Sequence, residues 1–224
     1  MDTSTNEDND SIRKVGGAFA DGLTLIRALL TPVVMYVIVT GWPDNLHFAI
    51  FASLLFAIAA LTDIFDDMTG GAENSRYRKF GWFDDIADTV LILGTLLAMV
   101  WVIWKHGLMS WAFMIPAIII IAREIIVGLA KGSSFRDTGW PETSLGTAKT
   151  AITMLAVCLL LASPWLTTWM DSFLSTSDNV MIIYDTPSPY LWWIGQGLLW
   201  LAAIISIITG YKLLKSPADM SRDG

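Results

Sequence analysis

This chain has almost none of the side chains that hold soft metals or build disulfides: one cysteine, Cys158, and two histidines, His47 and His106, in 224 residues. An internal disulfide is excluded, Cys158 in its apolar run reads as a buried and inert thiol, and a histidine-based zinc site has no ligand set to draw on. Charge is scarce too, at 16% of residues against 54% hydrophobic, with a mean hydropathy of +0.55. Ordinary soluble domains carry about 25% charged residues, so the chain reads as an integral membrane protein. Positive charge is the scarcer sign, with 14 Lys and Arg against 21 Asp and Glu and a net charge of −7. That balance argues against nucleic acid as a partner. The first ten residues have no basic residue and no apolar run, so the parts of a signal peptide are missing. Residues 1–20 read as a disordered acidic tail and 216–224 as a C-terminal tail.

What is present is apolar sequence in lengths that fit a bilayer. Stretches at 22–41, 46–65, 86–104, 108–128, 147–164 and 190–210 each approach the roughly 20 residues a transmembrane helix needs. The expected fold is therefore all-α, with six transmembrane helices making one membrane domain over 21–215. Breakers at Gly41-Trp42-Pro43, Lys105-His106-Gly107 and Pro187-Ser188-Pro189 separate the runs. Trp42, Trp104, Trp111, Trp165, Trp192 and Trp193 fall near their ends, as interfacial anchors do. Pro32 and Pro116 fall inside spans, which a bundle tolerates when neighbours satisfy the freed carbonyls. Between spans five and six, Trp165, Leu166, Trp169, Met170, Phe173 and Leu174 recur at helical spacing; a surface-lying amphipathic helix and a partly ordered loop both fit.

Orientation follows from where the basic residues lie. Arg13, Lys14, Arg76, Arg78, Lys79, Arg123, Lys131, Arg136, Lys149, Lys212, Lys215 and Arg222 belong to one side, and only Lys105 to the other. Twelve against one is a strong positive-inside asymmetry, so both termini are expected in the cytoplasm.

On that side lies the most informative stretch, Thr62-Asp63-Ile64-Phe65-Asp66-Asp67 followed, after a link, by Phe83-Asp84-Asp85-Ile86-Ala87-Asp88. Asp63 and Asp66 are three apart and Asp84 and Asp88 four apart, which puts each pair on one helical face. Carboxylates at a membrane boundary are costly unless cations compensate them. If spans two and three are antiparallel neighbours, four aspartates form an all-oxygen cage of the kind that selects magnesium, manganese or calcium. The competing reading is a solvated acidic helix end paired with Arg76, Arg78 and Lys79.

Asp63-x2-Asp66 with Asp84-x3-Asp88 in a six-helix frame resembles the signature of the CDP-alcohol phosphatidyltransferase family, and the spacing from Thr62 to Asp88 matches without a gap. Leu23-Thr24-Leu25-Ile26-Arg27, Ala122-Arg123-Glu124-Ile125-Ile126, Leu145-Gly146-Thr147-Ala148-Lys149-Thr150 and Thr209-Gly210-Tyr211 look like the phosphatidylglycerophosphate synthase branch of that family. The resemblance covers roughly residues 20–215. It implies transfer of a phosphatidyl group from CDP-diacylglycerol to glycerol 3-phosphate with release of CMP. It further implies two Mg²⁺ or Mn²⁺ ions on Asp63, Asp66 and Asp84, with Asp88 as a further metal ligand or as the base that deprotonates the acceptor. Arg123, Lys149, Lys131 and Arg136 are the candidates for the acceptor's phosphate. Membrane lipid as surroundings, a homodimer and a bacterial inner membrane are likewise what the resemblance implies.

The nucleotide part of the signature departs from the family. Asp67 stands where the family has Gly, and Gly70 and Gly71 stand where it has Ala and Arg. The extra carboxylate must turn away from a diphosphate or join the metals, and Arg76 or Arg78 would have to supply the missing cation. Asp67, Gly70, Gly71, Arg76 and Arg78 are thus the candidate nucleotide-binding positions. Two other readings stay open: the same fold and metals with a different acceptor or donor, and a catalytically silent membrane scaffold.

Overall fold

Backbone groups in hydrocarbon have no water to bond, so long apolar runs must close their hydrogen bonds within themselves. The computed structural model accordingly holds six α-helices and no strand among its described residues: α1 (Thr3–Gly41), α2 (Leu46–Met68), α3 (Gly81–Lys105), α4 (Trp111–Ser133), α5 (Ser144–Leu174) and α6 (Pro189–Met220). The backbone is described for residues 3–68, 81–107, 110–133, 144–174 and 189–220, and side chains for 18–19, 21–63, 86–107, 110–129, 145–170 and 190–211. Six segments are long and apolar enough to cross a membrane: Asp21–Gly41, Leu46–Asp63, Ile86–Lys105, Trp111–Leu129, Leu145–Met170 and Tyr190–Tyr211. They coincide closely with the runs read from sequence, and the chain is a multi-pass membrane protein.

Packing closes the helices into a ring in the order α1, α2, α5, α6, α4, α3, with α3 also touching α5 across the middle. Spans two and three were expected side by side, yet among the described residues α1 lies between them and both pack on it. At the α1–α3 contact Gly94 of α3 makes room for α1 side chains: a Cβ there would lie 2.8 Å from Met35 Sδ and 3.3 Å from Thr31 Cγ2. Leu91, Leu96, Met99, Phe56, Phe113, Ile120, Leu160 and Leu199 are fully or almost fully buried inside the ring. Leu29, Val33, Tyr36, Phe51, Ile118 and Leu155 face outward, as lipid-exposed positions do.

Two of the prolines inside helices, Pro116 and Pro164, behave as the membrane argument requires. Pro116 removes the N–H that would bond Ala112, and Trp200 Nε1 of α6 donates to that carbonyl at 2.8 Å. Pro164 frees Leu160, whose carbonyl accepts Ser163 Oγ at 2.9 Å.

Three expectations change. Helix α1 begins at Thr3, so the backbone of 3–20, expected as a disordered tail, continues the first span outward; adding residues to a formed helix is far easier than starting one. Residues 165–174 form neither a loop nor a separate surface helix but the last turns of α5, anchored where Trp165 Nε1 donates to Ser53 Oγ of α2 at 2.9 Å; residues 175–188 lie outside the described set. Trp42 is no interfacial anchor: at 3% exposure its Nε1 donates to the Leu161 carbonyl at 3.2 Å, and its ring lies 6.4 Å from that of Trp192. Trp104, Trp111 and Trp193 do face outward.

Candidate active site

Antiparallel alternation of six spans puts the starts of α1, α3 and α5 and the ends of α2, α4 and α6 at one end of the bundle. At that end the inward face of α1 is polar. Asp21, Thr24, Arg27 and Thr31, spaced three or four apart, are all buried, and the same face continues as apolar Val34 and Ile38. Arg27 has no exposed surface. A buried lone charge costs several kcal/mol, so this guanidinium needs anions, and two helices deliver them. Its Nη2 lies 3.3 Å from Asp63 Oδ1 of α2, its Nη1 donates to Asp88 Oδ1 of α3, and its Nε donates to Thr62 Oγ1 at 3.4 Å. One side chain of α1 therefore gathers the carboxylates of α2 and α3, which their own packing does not bring together.

The other three helices make a second charged cluster at the same end. Arg123 Nη1 of α4 donates to Glu124 Oε1 at 2.9 Å and to Oε2 at 3.0 Å, and its Nη2 donates to Thr209 Oγ1 of α6 at 3.3 Å. Lys149 Nζ of α5 donates to Glu124 Oε1. Glu124 and Lys149 are buried and Arg123 nearly so, with 10%, 8% and 12% of their side chains exposed. Gly210 allows the approach, because a Cβ there would stand 3.2 Å from Arg123 Cγ.

The predicted residues divide clearly. Asp63 and Asp88 meet on Arg27, and Arg123 and Lys149 meet on Glu124. Asp66 and Asp67 lie one turn past Asp63 in α2, Asp84 one turn before Asp88 in α3, and Lys131 two turns past Arg123 in α4, but their side chains lie outside the described set. Gly70, Gly71, Arg76, Arg78 and Arg136 lie outside the described residues altogether. No group of three or more possible metal-ligating side chains forms among the described residues, where only two of the four aspartates can be placed. Sequence reasoning missed Arg27 and Glu124 as site residues. The signal was available, since a charge inside an apolar span marks a functional position by default.

The donor chemistry near Arg27 is purely oxygen. His47 opens α2 at the opposite end, His106 sits 3.6 Å from Asp44 there, and Cys158 lies midway along α5. A hard divalent cation fits that set and a soft one does not.

Comparison with known proteins agrees with this frame. The family model for CDP-alcohol phosphatidyltransferase matches residues 18–208. A protein of Rickettsia felis named CDP-diacylglycerol--glycerol-3-phosphate 3-phosphatidyltransferase is 30% identical over 196 residues, covering 87% of this chain and 92% of its own. Proteins of the same name are 26% identical over 220 residues in Cereibacter sphaeroides, covering 90% of this chain and 96% of theirs, and 37% identical over 153 residues in Escherichia coli, covering 63% and 75%. With the match running through all six spans and both charged clusters, the chain belongs to the CDP-alcohol phosphatidyltransferase family.

Proposed function

We propose that this protein transfers the phosphatidyl group of CDP-diacylglycerol to glycerol 3-phosphate and releases CMP, a step of phospholipid synthesis. The observation that carries the reading is the meeting of Asp63 and Asp88, from different helices, on the buried Arg27. It supports a site in which Asp63, Asp66, Asp84 and Asp88 hold two Mg²⁺ or Mn²⁺ ions. Such ions, when bound, neutralise a diphosphate and make CMP a better leaving group. The chain's own residues do the rest. Arg27 holds Asp63 and Asp88 in register, and Asp88 serves as metal ligand or takes the proton of the acceptor hydroxyl. The acceptor oxygen bonds to the phosphorus that carries diacylglycerol, the bond from that phosphorus to the CMP oxygen breaks, and CMP leaves with the electron pair.

Arg123 and Lys149 are the seat for the acceptor's own phosphate, with Lys131 and Arg136 as outer contacts. The nucleotide is met by Asp67, Gly70 and Gly71, with Arg76 or Arg78 supplying the cation that the family places at Gly71. The positive-inside asymmetry supports a site facing the cytoplasm in a bacterial inner membrane, and the protein is read as a homodimer by resemblance.

The test is release of CMP by purified protein in detergent with Mg²⁺ or Mn²⁺, CDP-diacylglycerol and glycerol 3-phosphate. Release only with a different alcohol would reassign the acceptor. Thermal stabilisation by the metals with no CMP from any acceptor would make the protein a silent scaffold.

A further inference from the structure

Neighbouring residues on a helix do not normally face each other, yet Arg123 and Glu124 meet head to head. The stem of Arg123 lies against Gly210, its Nη2 reaches Thr209, and its Nη1 lies within 3.0 Å of both Glu124 oxygens. Lys149, from a third helix, donates to the same carboxylate. The two cations assigned above to the acceptor's phosphate are thus already arranged around one anion belonging to the chain. That anion leaves a donor unused: Arg123 Nε is buried and has no hydrogen-bond partner among the described residues. A buried N–H without an acceptor costs about 1–3 kcal/mol. A carboxylate has two oxygens to offer, whereas a phosphate monoester has three non-bridging ones.

From these contacts we infer that Glu124 is a positioning residue that fills the acceptor's phosphate seat as an internal anion, so that a phosphate monoester binds by taking over Arg123 and Lys149 from the Glu124 carboxylate. The inference rests on the reading of Arg123 and Lys149 as that seat. While the seat holds Glu124, the two cations stay buried, spaced and compensated. When phosphate enters, its third oxygen faces the unused Nε–H, and the displaced carboxylate turns toward the mouth of the bundle. Binding is an exchange of one anion for another, so Glu124 sets acceptor affinity and leaves the donor site alone.

Three variants of the full-length protein in detergent test this, with CMP release followed while glycerol 3-phosphate and CDP-diacylglycerol are varied separately. Lys149→Met is expected to raise the acceptor KM. Glu124→Gln, which keeps the shape and removes the charge, is expected to lower the acceptor KM about tenfold, the equivalent of about 1.4 kcal/mol, a shift that the donor KM does not share. Glu124→Asp keeps the charge while withdrawing it by one methylene; it should move the same constant in the same direction by less, and serves where Glu124→Gln does not fold. Inorganic phosphate provides a second readout, as it should raise the melting temperature of either Glu124 variant more than that of wild type. An acceptor KM that rises or stays level in both Glu124 variants, while Lys149→Met raises it, overturns the inference and leaves the seat standing. An acceptor KM unmoved by Lys149→Met removes the seat itself, and the inference with it.

Discussion

The two charged clusters at one end of the bundle are mirror images in charge. Among the ion pairs of the described residues, two carboxylates face one guanidinium in α1, α2 and α3, and two cations face one carboxylate in α4 and α5. In the first the residue of minority sign, Arg27, ties all three helices; in the second Glu124 ties α4 to α5, and Arg123 carries the tie on to Thr209 of α6. The difference lies in what each cluster is suited to receive. Carboxylates attract further cations, so the first fits divalent metal and through it a diphosphate; cations attract further oxygens, so the second fits a phosphate monoester. A reaction that joins a metal-bound donor to a phosphorylated acceptor needs both kinds of surface, and a bundle built of two three-helix halves supplies one from each.

The sharpest way to break this division is at Asp88. Asp88→Asn removes the carboxylate proposed as metal ligand or proton acceptor, and CMP release should fall about 10²–10⁴-fold. Retention of more than about a tenth of wild-type turnover would take Asp88 out of the chemistry and leave the first cluster a structural tie.

Removing the minority residue of the first cluster separates architecture from chemistry. Arg27→Gln leaves two carboxylates facing each other without their shared cation, which should destabilise the fold by about 3–5 kcal/mol and lower the melting temperature in detergent. Arg27→Lys keeps the charge but loses the fork that reaches both acids, so it should fall between. A melting temperature of Arg27→Gln equal to wild type would mean that the two carboxylates are held by something else.

The functional split is read by a pair of variants that should behave oppositely. Arg123→Gln removes charged hydrogen bonds from the second cluster and should raise the acceptor KM about 10–100-fold while leaving the Mg²⁺ requirement alone. Asp63→Asn should raise the Mg²⁺ concentration needed for half-maximal rate and leave the acceptor KM alone. Both variants shifting both quantities would merge the clusters into a single site.

Much of this was legible in the sequence, and what was hidden had a common cause. Six spans follow from run length and breakers because the membrane leaves helices almost no alternative. Asp63 and Asp88 stand out by their spacing along single helices, and Arg123 and Lys149 by their place beside one link and by resemblance to segments of the family. Arg27 and Glu124 escaped because their meaning lies in partners far off in the chain: Arg27 meets Asp88 at a separation of 61 residues, and Lys149 meets Glu124 at 25. The order of packing was hidden for the same reason. Nothing in spans two and three shows that α1 will stand between them; the contacts that α1 makes with each, Gly94 against Met35 and Thr31 among them, lie far apart in the chain. Trp42 likewise reads as an end-of-helix aromatic until Leu161 and Trp192 close over it.

The mildest test lies at the edge of the second cluster, where Thr209 is the only uncharged side chain bonded to Arg123 among the contacts described. Its hydroxyl donates to the Ile205 carbonyl at 2.9 Å and accepts from Arg123 Nη2 at 3.3 Å. Thr209→Val keeps the shape and takes away the acceptor, so it loses one stretched hydrogen bond worth about 0.5–1.5 kcal/mol. Because Arg123 keeps Glu124, the guanidinium should loosen rather than leave, and the acceptor KM should rise about fivefold, the factor that a loss near the middle of that range implies. Thr209→Ser retains the oxygen and should restore the wild-type value. A change in the donor KM instead would place Thr209 on the nucleotide side, and the boundary between the two clusters would have to be redrawn through α6.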